Sequence, residues 1–161
     1  MGASLAEPGQ RLLARVVDTL IVGVPVIVVV RGLVSGHTVD VVAPPAVAAC
    51  MLLYEAIQLA LWGRTVGKRL AGIEVVVAPP DGQPGGAAPE TAGGETRPGV
   101  LPSVLRAAVY SLPIAARPIP VLGLLASVFW VANAGLMFEG TRRQAAHDRL
   151  AGTLVVKRPH P

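Results

Sequence analysis

Charged and aromatic residues are scarce in this 161-residue chain. Asp, Glu, Lys and Arg together make up 15% of the sequence and aromatic residues 4%, whereas 52% of the residues are hydrophobic. A soluble domain carries about 25% charged residues. The shortage of charge therefore argues against a soluble globular protein and favours a bilayer as the surrounding solvent.

Cysteine and histidine are also rare. The single cysteine, Cys50, cannot form an intrachain disulfide, and the three histidines do not have the spacing of metal ligands. Residues 63–69 resemble a phosphate-binding loop, but only three residues separate the glycines, and Arg69 replaces the Ser or Thr that holds magnesium. No Gly-x-Ser-x-Gly motif occurs either. We expect no enzymatic activity, no catalytic residue, no cofactor and no metal.

The apolar residues fall into four blocks, which predict helices at about residues 12–33, 41–62, 100–116 and 119–138. A helix needs about 20 residues to cross a bilayer. The second and fourth blocks are long enough, the apolar run of the first, residues 12–30, is nearly so, and the third is marginal. A secretory signal peptide is the alternative for the first block, but Asp18 interrupts its start and more apolar blocks follow. Pro44 and Pro45 are expected in the first turn of the second helix.

The basic residues are distributed unevenly about these four blocks. Of the 14 Lys and Arg residues, eleven fall on one predicted side, Arg31 and Arg117 fall on the other, and Arg106 lies inside the third block. Basic residues accumulate on the cytoplasmic side of membrane proteins. We therefore expect a multi-pass protein with both termini in the cytoplasm. The basic charge is explained by this pattern, and we expect no nucleic-acid partner.

Two similar segments divide the chain into halves. Residues 68–76 and 148–156 share the sequence Arg-Leu-Ala-Gly and end in two valines, and each follows an apolar hairpin. Between the halves, residues 78–99 are rich in Pro and Gly and predict a disordered linker. We predict one domain over residues 1–161: an all-α membrane protein, a four-transmembrane-helix bundle built as two hairpins. Two short β-like segments, residues 73–77 and 153–156, are expected to pair on the cytoplasmic side.

Polar residues lie within the apolar blocks at similar depths. At 1.5 Å per residue, Asp18 lies roughly 9 Å and Glu55 roughly 10 Å inside the cytoplasmic boundary. Arg106 reaches a similar depth, and Asn133 and Gln58 are slightly shallower. A buried charge is costly in a bilayer, so we expect these five side chains to face each other or a wet cavity.

This polar layer has two interpretations. In the first, Asp18 and Glu55 bind a cation or proton, and the protein transports a cation or small solute, most simply as a homo-oligomer. In the second, Arg106 only neutralises the acids, and the protein is a non-transporting scaffold or assembly factor with another membrane partner.

A basic rim is expected at the cytoplasmic mouth, formed by Arg11, Arg15 and Lys68. These residues are expected to contact anionic lipid headgroups. Arg11 is too far from Asp18 along the helix to pair with it, so Asp148 or a lipid phosphate is the expected partner. His147 precedes Asp148 directly and could titrate near neutral pH.

Three motifs in order give the chain a family resemblance. They are residues 11–18 (Arg-Leu-Leu-Ala-Arg-Val-Val-Asp), residues 63–72 (Gly-Arg-Thr-Val-Gly-Lys-Arg-Leu-Ala-Gly) and residues 147–153 (His-Asp-Arg-Leu-Ala-Gly-Thr). The chain resembles the RDD family of bacterial membrane proteins, named for one arginine and two aspartates. The resemblance implies a location in the bacterial inner membrane and suggests transport of ions or small solutes. The motif residues would be Arg11, Asp18, Gly63, Thr65, Gly67, Lys68, His147, Asp148, Gly152 and Thr153.

Overall fold

The computed structural model describes residues 4–78, 98–138 and 143–157. Most of the predicted linker, residues 79–97, lies outside the described residues. The chain order is α1 (Pro8–Leu33), α2 (His37–Trp62), α3 (Val66–Leu70), β1 (Ile73–Val77), α4 (Val100–Ala115), α5 (Pro120–Gly135), a 3-10 turn (Leu136–Phe138), α6 (Ala146–Leu150) and β2 (Thr153–Lys157). Two long helices, a short helix and a strand thus occur twice in the same order.

All four predicted helices exist, but their lengths differ from the prediction. α1 and α2 have 26 residues each and are long and apolar enough to cross a membrane. α4 and α5 have 16 residues each, which is about 24 Å of helix against about 30 Å of hydrocarbon. The fourth block ends early because residues after Gly135 tighten into the 3-10 turn. Two of the four predicted helices therefore have the length of a membrane span, and the four-transmembrane-helix bundle is not confirmed.

α2 begins earlier than the sequence predicted. Its first residue is His37, and Asp40 lies in the first turn, where a negative charge complements the helix dipole. The two prolines, Pro44 and Pro45, consequently lie inside the helix and not in its first turn. The prediction failed because it started the helix at the first long apolar run and ignored the polar turn before it.

The two strands pair as predicted, and their register preserves the sequence repeat. Val75 and Val155 are equivalent in the two repeats, and they are also direct partners in the antiparallel sheet. Ile73 pairs with Lys157, while its counterpart Thr153 pairs with Val77. This reciprocal pairing places a local two-fold axis through the Val75–Val155 pair. Gly72 and Gly152, with φ angles of 67° and 61°, make the same turn before each strand.

The N-terminal segment continues this sheet. Leu5 forms a bridge with Val156, Ala6 N–H donates to the Val155 carbonyl at 3.0 Å, and Lys157 N–H donates to the Ser4 carbonyl at 2.7 Å. The chain before α1, the strand after α2 and the strand after α5 therefore lie side by side. Both hairpins must leave this end of the molecule and return to it.

Burial departs from a soluble protein's pattern, although an apolar core that includes Leu59, Ile73 and Val155 is also present. α2 packs along both α1 and α4, and charged residues are buried between the helices while large apolar residues face outward. Examples of the outward residues are Leu20 and Val28 on α1, Leu53 on α2, and Leu124 and Val131 on α5. A contiguous apolar exterior of this kind is typical of a surface in contact with lipid or a protein partner.

Candidate functional site

Asp18 anchors the turn that follows α2. Its carboxylate is buried and accepts hydrogen bonds from the Tyr54 hydroxyl (2.7 Å), the Thr65 hydroxyl (2.5 Å) and the backbone N–H of Gly67 (2.8 Å). Thr65 also caps α3, because its oxygen accepts from Lys68 N–H at 3.3 Å. One acid on α1 thus fixes the start of α3 against the long helices.

Gly67 is required by the closeness of α3 to α1. A Cβ atom at this position would lie 2.1 Å from the Ala14 carbonyl oxygen and 2.8 Å from Asp18 Oδ1. Only a residue without a side chain fits between the two helices. Gly67, the second glycine of the Gly-x-Thr-x-Gly-Lys motif, therefore has a packing role. Its lack of a side chain lets its own backbone N–H reach Asp18.

Glu55 is the centre of the first cation cluster. Its carboxylate accepts hydrogen bonds from Arg15 Nη1 at 2.7 Å, from Arg15 Nη2 at 3.1 Å and from Lys68 Nζ at 3.1 Å. Arg106 Nε lies farther away, at 3.9 Å from Glu55 Oε1. The Arg15 guanidinium also stacks on the Tyr110 ring, with 3.4 Å between its carbon and the ring centroid. A single carboxylate on α2 thus faces three cations from three different helices.

Asp148 is the centre of the second cluster. Its carboxylate accepts hydrogen bonds from Arg11 Nη1 at 3.1 Å, from Arg106 Nη1, and from the backbone N–H of Ala145 at 3.2 Å. Arg106 Nη1 also donates to the Thr153 hydroxyl at 3.0 Å. Arg106 therefore joins the two clusters, since it lies between Glu55 and Asp148. This confirms the expected pairing of Arg11 with Asp148.

Asn133 and His147 complete the layer on the side of α5. Asn133 Oδ1 accepts from Ala146 N–H at 2.9 Å and lies 3.3 Å from His147 Nδ1. Burial lowers the pKa of His147 well below 6.5, and the nearby Arg106 lowers it further. The lowered pKa favours the neutral form of His147, although its Nε2 lies 3.6 Å from Asp148 Oδ1.

A cavity of about 190 Å³ lies inside this layer. Its polar lining comes from Arg11 and Arg15 on α1, Lys68 on α3 and Arg106 on α4, together with three residues of α5 and α6. Those three are Asn133, His147 and Asp148. Four cationic side chains and one carboxylate thus line the cavity beside apolar residues, which supply most of its accessible surface.

A second, larger cleft of about 640 Å³ lies between α1, α2, α4 and α5, toward the opposite end of the helices. Its lining is mostly apolar, with Arg117 at its far end. Trp130 lines both spaces, and its ring packs 4.7 Å from that of Tyr110, centroid to centroid. Trp130 is therefore shared by the two spaces, and Tyr110 lines the charged cavity beside it.

The predicted layer residues are brought together only in part. Glu55 and Arg106 face each other, and Gln58 hydrogen-bonds Tyr54, which in turn bonds Asp18. Asp18 itself has neutral donors as its direct partners. Among the described residues, no three His, Cys, Asp or Glu side chains lie close enough to hold a metal ion.

The sequence analysis missed two members of the network. Arg15 and Lys68 were expected at an exposed rim, yet their side chains are only 15% and 5% exposed, and both bind Glu55. The available signal was spacing: Arg15 lies three residues before Asp18 and so shares its helix face. Cys50, the single cysteine, is exposed on α2.

The pH dependence of stability tests the burial of Lys68. Burial lowers the pKa of Lys68 from 10.5 to about 8; Arg15 and Arg106 lower it further, whereas Glu55 and Asp18 raise it. Between about pH 8 and 10.5 the unfolded chain then holds more protons than the folded one, so stability rises with pH across this window. Lys68→Met is expected to flatten that rise. Thermal unfolding of both proteins in detergent over the window measures it, and equal slopes would contradict the assignment.

These features define a class of protein: a helical protein with an apolar exterior and a charged interior layer at one end. The chain belongs to the RDD family, which it matches over residues 5–92, more than half of its length. The matched range contains the Arg11 and Asp18 motif and the turn of residues 63–72, whereas the second copy, residues 147–153, lies beyond it. No curated protein and no solved structure matches the chain. Family membership and the two long apolar helices together indicate a membrane location.

Proposed function

We propose that the protein is a multi-pass protein of a bacterial inner membrane, with all four long helices crossing it and both termini in the cytoplasm. The return of both hairpins to the sheet supports an even number of crossings. Basic residues concentrate at the sheet end, which the distribution rule for membrane proteins assigns to the cytoplasm. The short α4 and α5 are accommodated by local thinning of the bilayer.

Within this topology, the function we propose is transport of a small solute. The observation that supports it is the pair of spaces that meet at Trp130, one charged and near the cytoplasmic end, the other apolar and toward the opposite end. Trp130 lines both spaces, and its ring packs on Tyr110, which lines the charged cavity. Rotation of these rings would connect the two sides in turn.

The geometry gives less support to a bare cation as the solute. Glu55 and Asp148 already bind arginine and lysine side chains, and Asp18 is occupied by three donors. A metal cation or proton would have to displace these partners from a buried site. The solute we propose therefore binds the cationic walls of the cavity instead of the acids.

Uptake into proteoliposomes tests transport. We expect wild-type protein to accumulate at least one of labelled phosphate, acetate or rubidium under a gradient, faster than protein-free liposomes. Trp130→Ala is expected to increase the rate severalfold because it opens the aromatic pair, while Trp130→Phe stays close to wild type. If wild type and Trp130→Ala both match protein-free liposomes for all three probes, the transport proposal is wrong.

A scaffold function is the second candidate, and one observation favours it. All three carboxylates of the layer are fully bonded within the protein, as expected for charges that fix the packing of helices. Silence in the uptake assay, together with strong destabilisation when the network is broken, would identify the layer as structural.

A further inference from the structure

The charged cavity has more positive than negative charge. Four cationic side chains line it, and two carboxylates form ion pairs with them. Asp148 belongs to the lining and binds Arg11, and Glu55 binds Arg15 and Lys68. Since His147 is neutral, the walls carry a formal excess of two positive charges. Arg143, exposed at the surface, lies within electrostatic range of Arg11 and adds positive potential outside the cavity.

Two guanidinium donors of this lining are unused. Within the described part of the chain, the Nε–H groups of Arg11 and Arg106 are buried and find no hydrogen-bond acceptor. Glu55 Oε1 lies 3.9 Å from Arg106 Nε, which is too far for a hydrogen bond. Arg106 is only 2% exposed, so bulk water does not satisfy it. Buried donors without partners are rare in proteins, and a bound ion or water molecule is one explanation for them.

We propose that this cavity binds an anion that carries a carboxylate or phosphate group. Oxygen atoms of such a group match the planar donor array of arginine and would neutralise the excess charge. A volume of about 190 Å³ is sufficient for a small oxyanion or for the phosphate part of a lipid. The inference rests on the proposed function in treating this cavity as the solute site, but it concerns binding and can be measured without transport.

The anion could come from two sources, a free solute or a lipid headgroup. The first probe is inorganic phosphate, titrated into the full-length protein in neutral detergent at constant ionic strength. The second compares nanodiscs of phosphatidylcholine with nanodiscs of equal parts phosphatidylcholine and phosphatidylglycerol. A saturable rise in unfolding temperature with phosphate indicates a free anion, and a rise only with phosphatidylglycerol indicates a headgroup.

Asn133→Asp is the decisive variant, because it adds a negative charge to the cavity lining with almost no change of shape. Its oxygen still accepts from Ala146 N–H, so the layer is expected to fold. The affinity for the stabilising anion should fall by on the order of tenfold or more at neutral pH. Gln10→Glu, half-buried near the start of α1 and outside the cavity lining, makes the same charge change and should stay within about twofold of wild type.

Two results would overturn the proposal: no saturable stabilisation of wild type by either probe, or undiminished anion binding by Asn133→Asp. The outcome is separable from that of the uptake assay. Anion binding without uptake would support the anion site and contradict the transport function. Rubidium uptake without anion binding would support transport and contradict the anion site.

Discussion

Glu55→Gln is expected to destabilise the protein by about 3–5 kcal/mol, the range for removing one partner of a buried ion network. Glu55 is fully buried and receives Arg15 at 2.7 Å and Lys68 at 3.1 Å, with Arg106 at 3.9 Å. The substitution preserves shape but leaves these largely buried cations without the counter-charge of Glu55. Reversible unfolding in detergent, followed by circular dichroism, measures the loss.

The matched control is Asp40→Asn on the same helix. Asp40 is 79% exposed, and its contact with His37 is 3.7 Å long, so the same chemical change should cost less than about 1 kcal/mol, the limit of its interaction with the helix dipole. A second variant tests the cause directly. Adding Lys68→Met to Glu55→Gln removes one of the stranded cations, and the double variant should be more stable than Glu55→Gln alone. If it is less stable, loss of packing outweighs the charge effect and our account of the network is wrong.

The repeat explains why the network has two centres. Lys68 and Asp148 occupy equivalent positions on α3 and α6, yet they carry opposite charges. Lys68 binds the acid of α2, while Asp148 binds the arginines of α1 and α4. The short helices α3 and α6 therefore present opposite charges to the long helices. This difference allows one layer to contain both cationic and acidic groups.

The sequence predicted the elements of the fold better than the contacts of the site. The apolar blocks and the repeated Arg-Leu-Ala-Gly segment predicted the four longer helices and the strand pair, but not the short helices α3 and α6. Depth arithmetic placed Glu55 and Arg106 together, because it depends only on helix rise. It could not show toward which side of its helix a side chain points. Asp18 was therefore expected to bind a cation or proton, whereas it accepts a hydrogen bond from Gly67 N–H. Arg15 was missed for the same reason, since its partner is on another helix.

The docking of α3 on α1 is the contact with the least tolerance, and Gly67→Ala tests it. A Cβ atom would meet the Ala14 carbonyl oxygen at 2.1 Å and Asp18 Oδ1 at 2.8 Å. The oxygen belongs to the backbone of α1 and cannot rotate away, so α3 must move. Asp18 then loses its bond to Gly67 N–H and weakens its bond to Thr65. We expect a loss of about 3 kcal/mol or more, from overpacking and an unsatisfied buried carboxylate.

The sign of this effect separates it from helix propensity. In an unhindered helix, glycine to alanine is stabilising by up to about 1 kcal/mol. A Cβ atom added at Gly9, near the start of α1, would have no other atom within 4 Å, so Gly9→Ala should be neutral or stabilising. Unfolding of both variants in the same detergent gives the comparison. If Gly67→Ala is as stable as Gly9→Ala, α3 does not dock on α1, and the turn that presents Lys68 to the cavity is not held by Asp18.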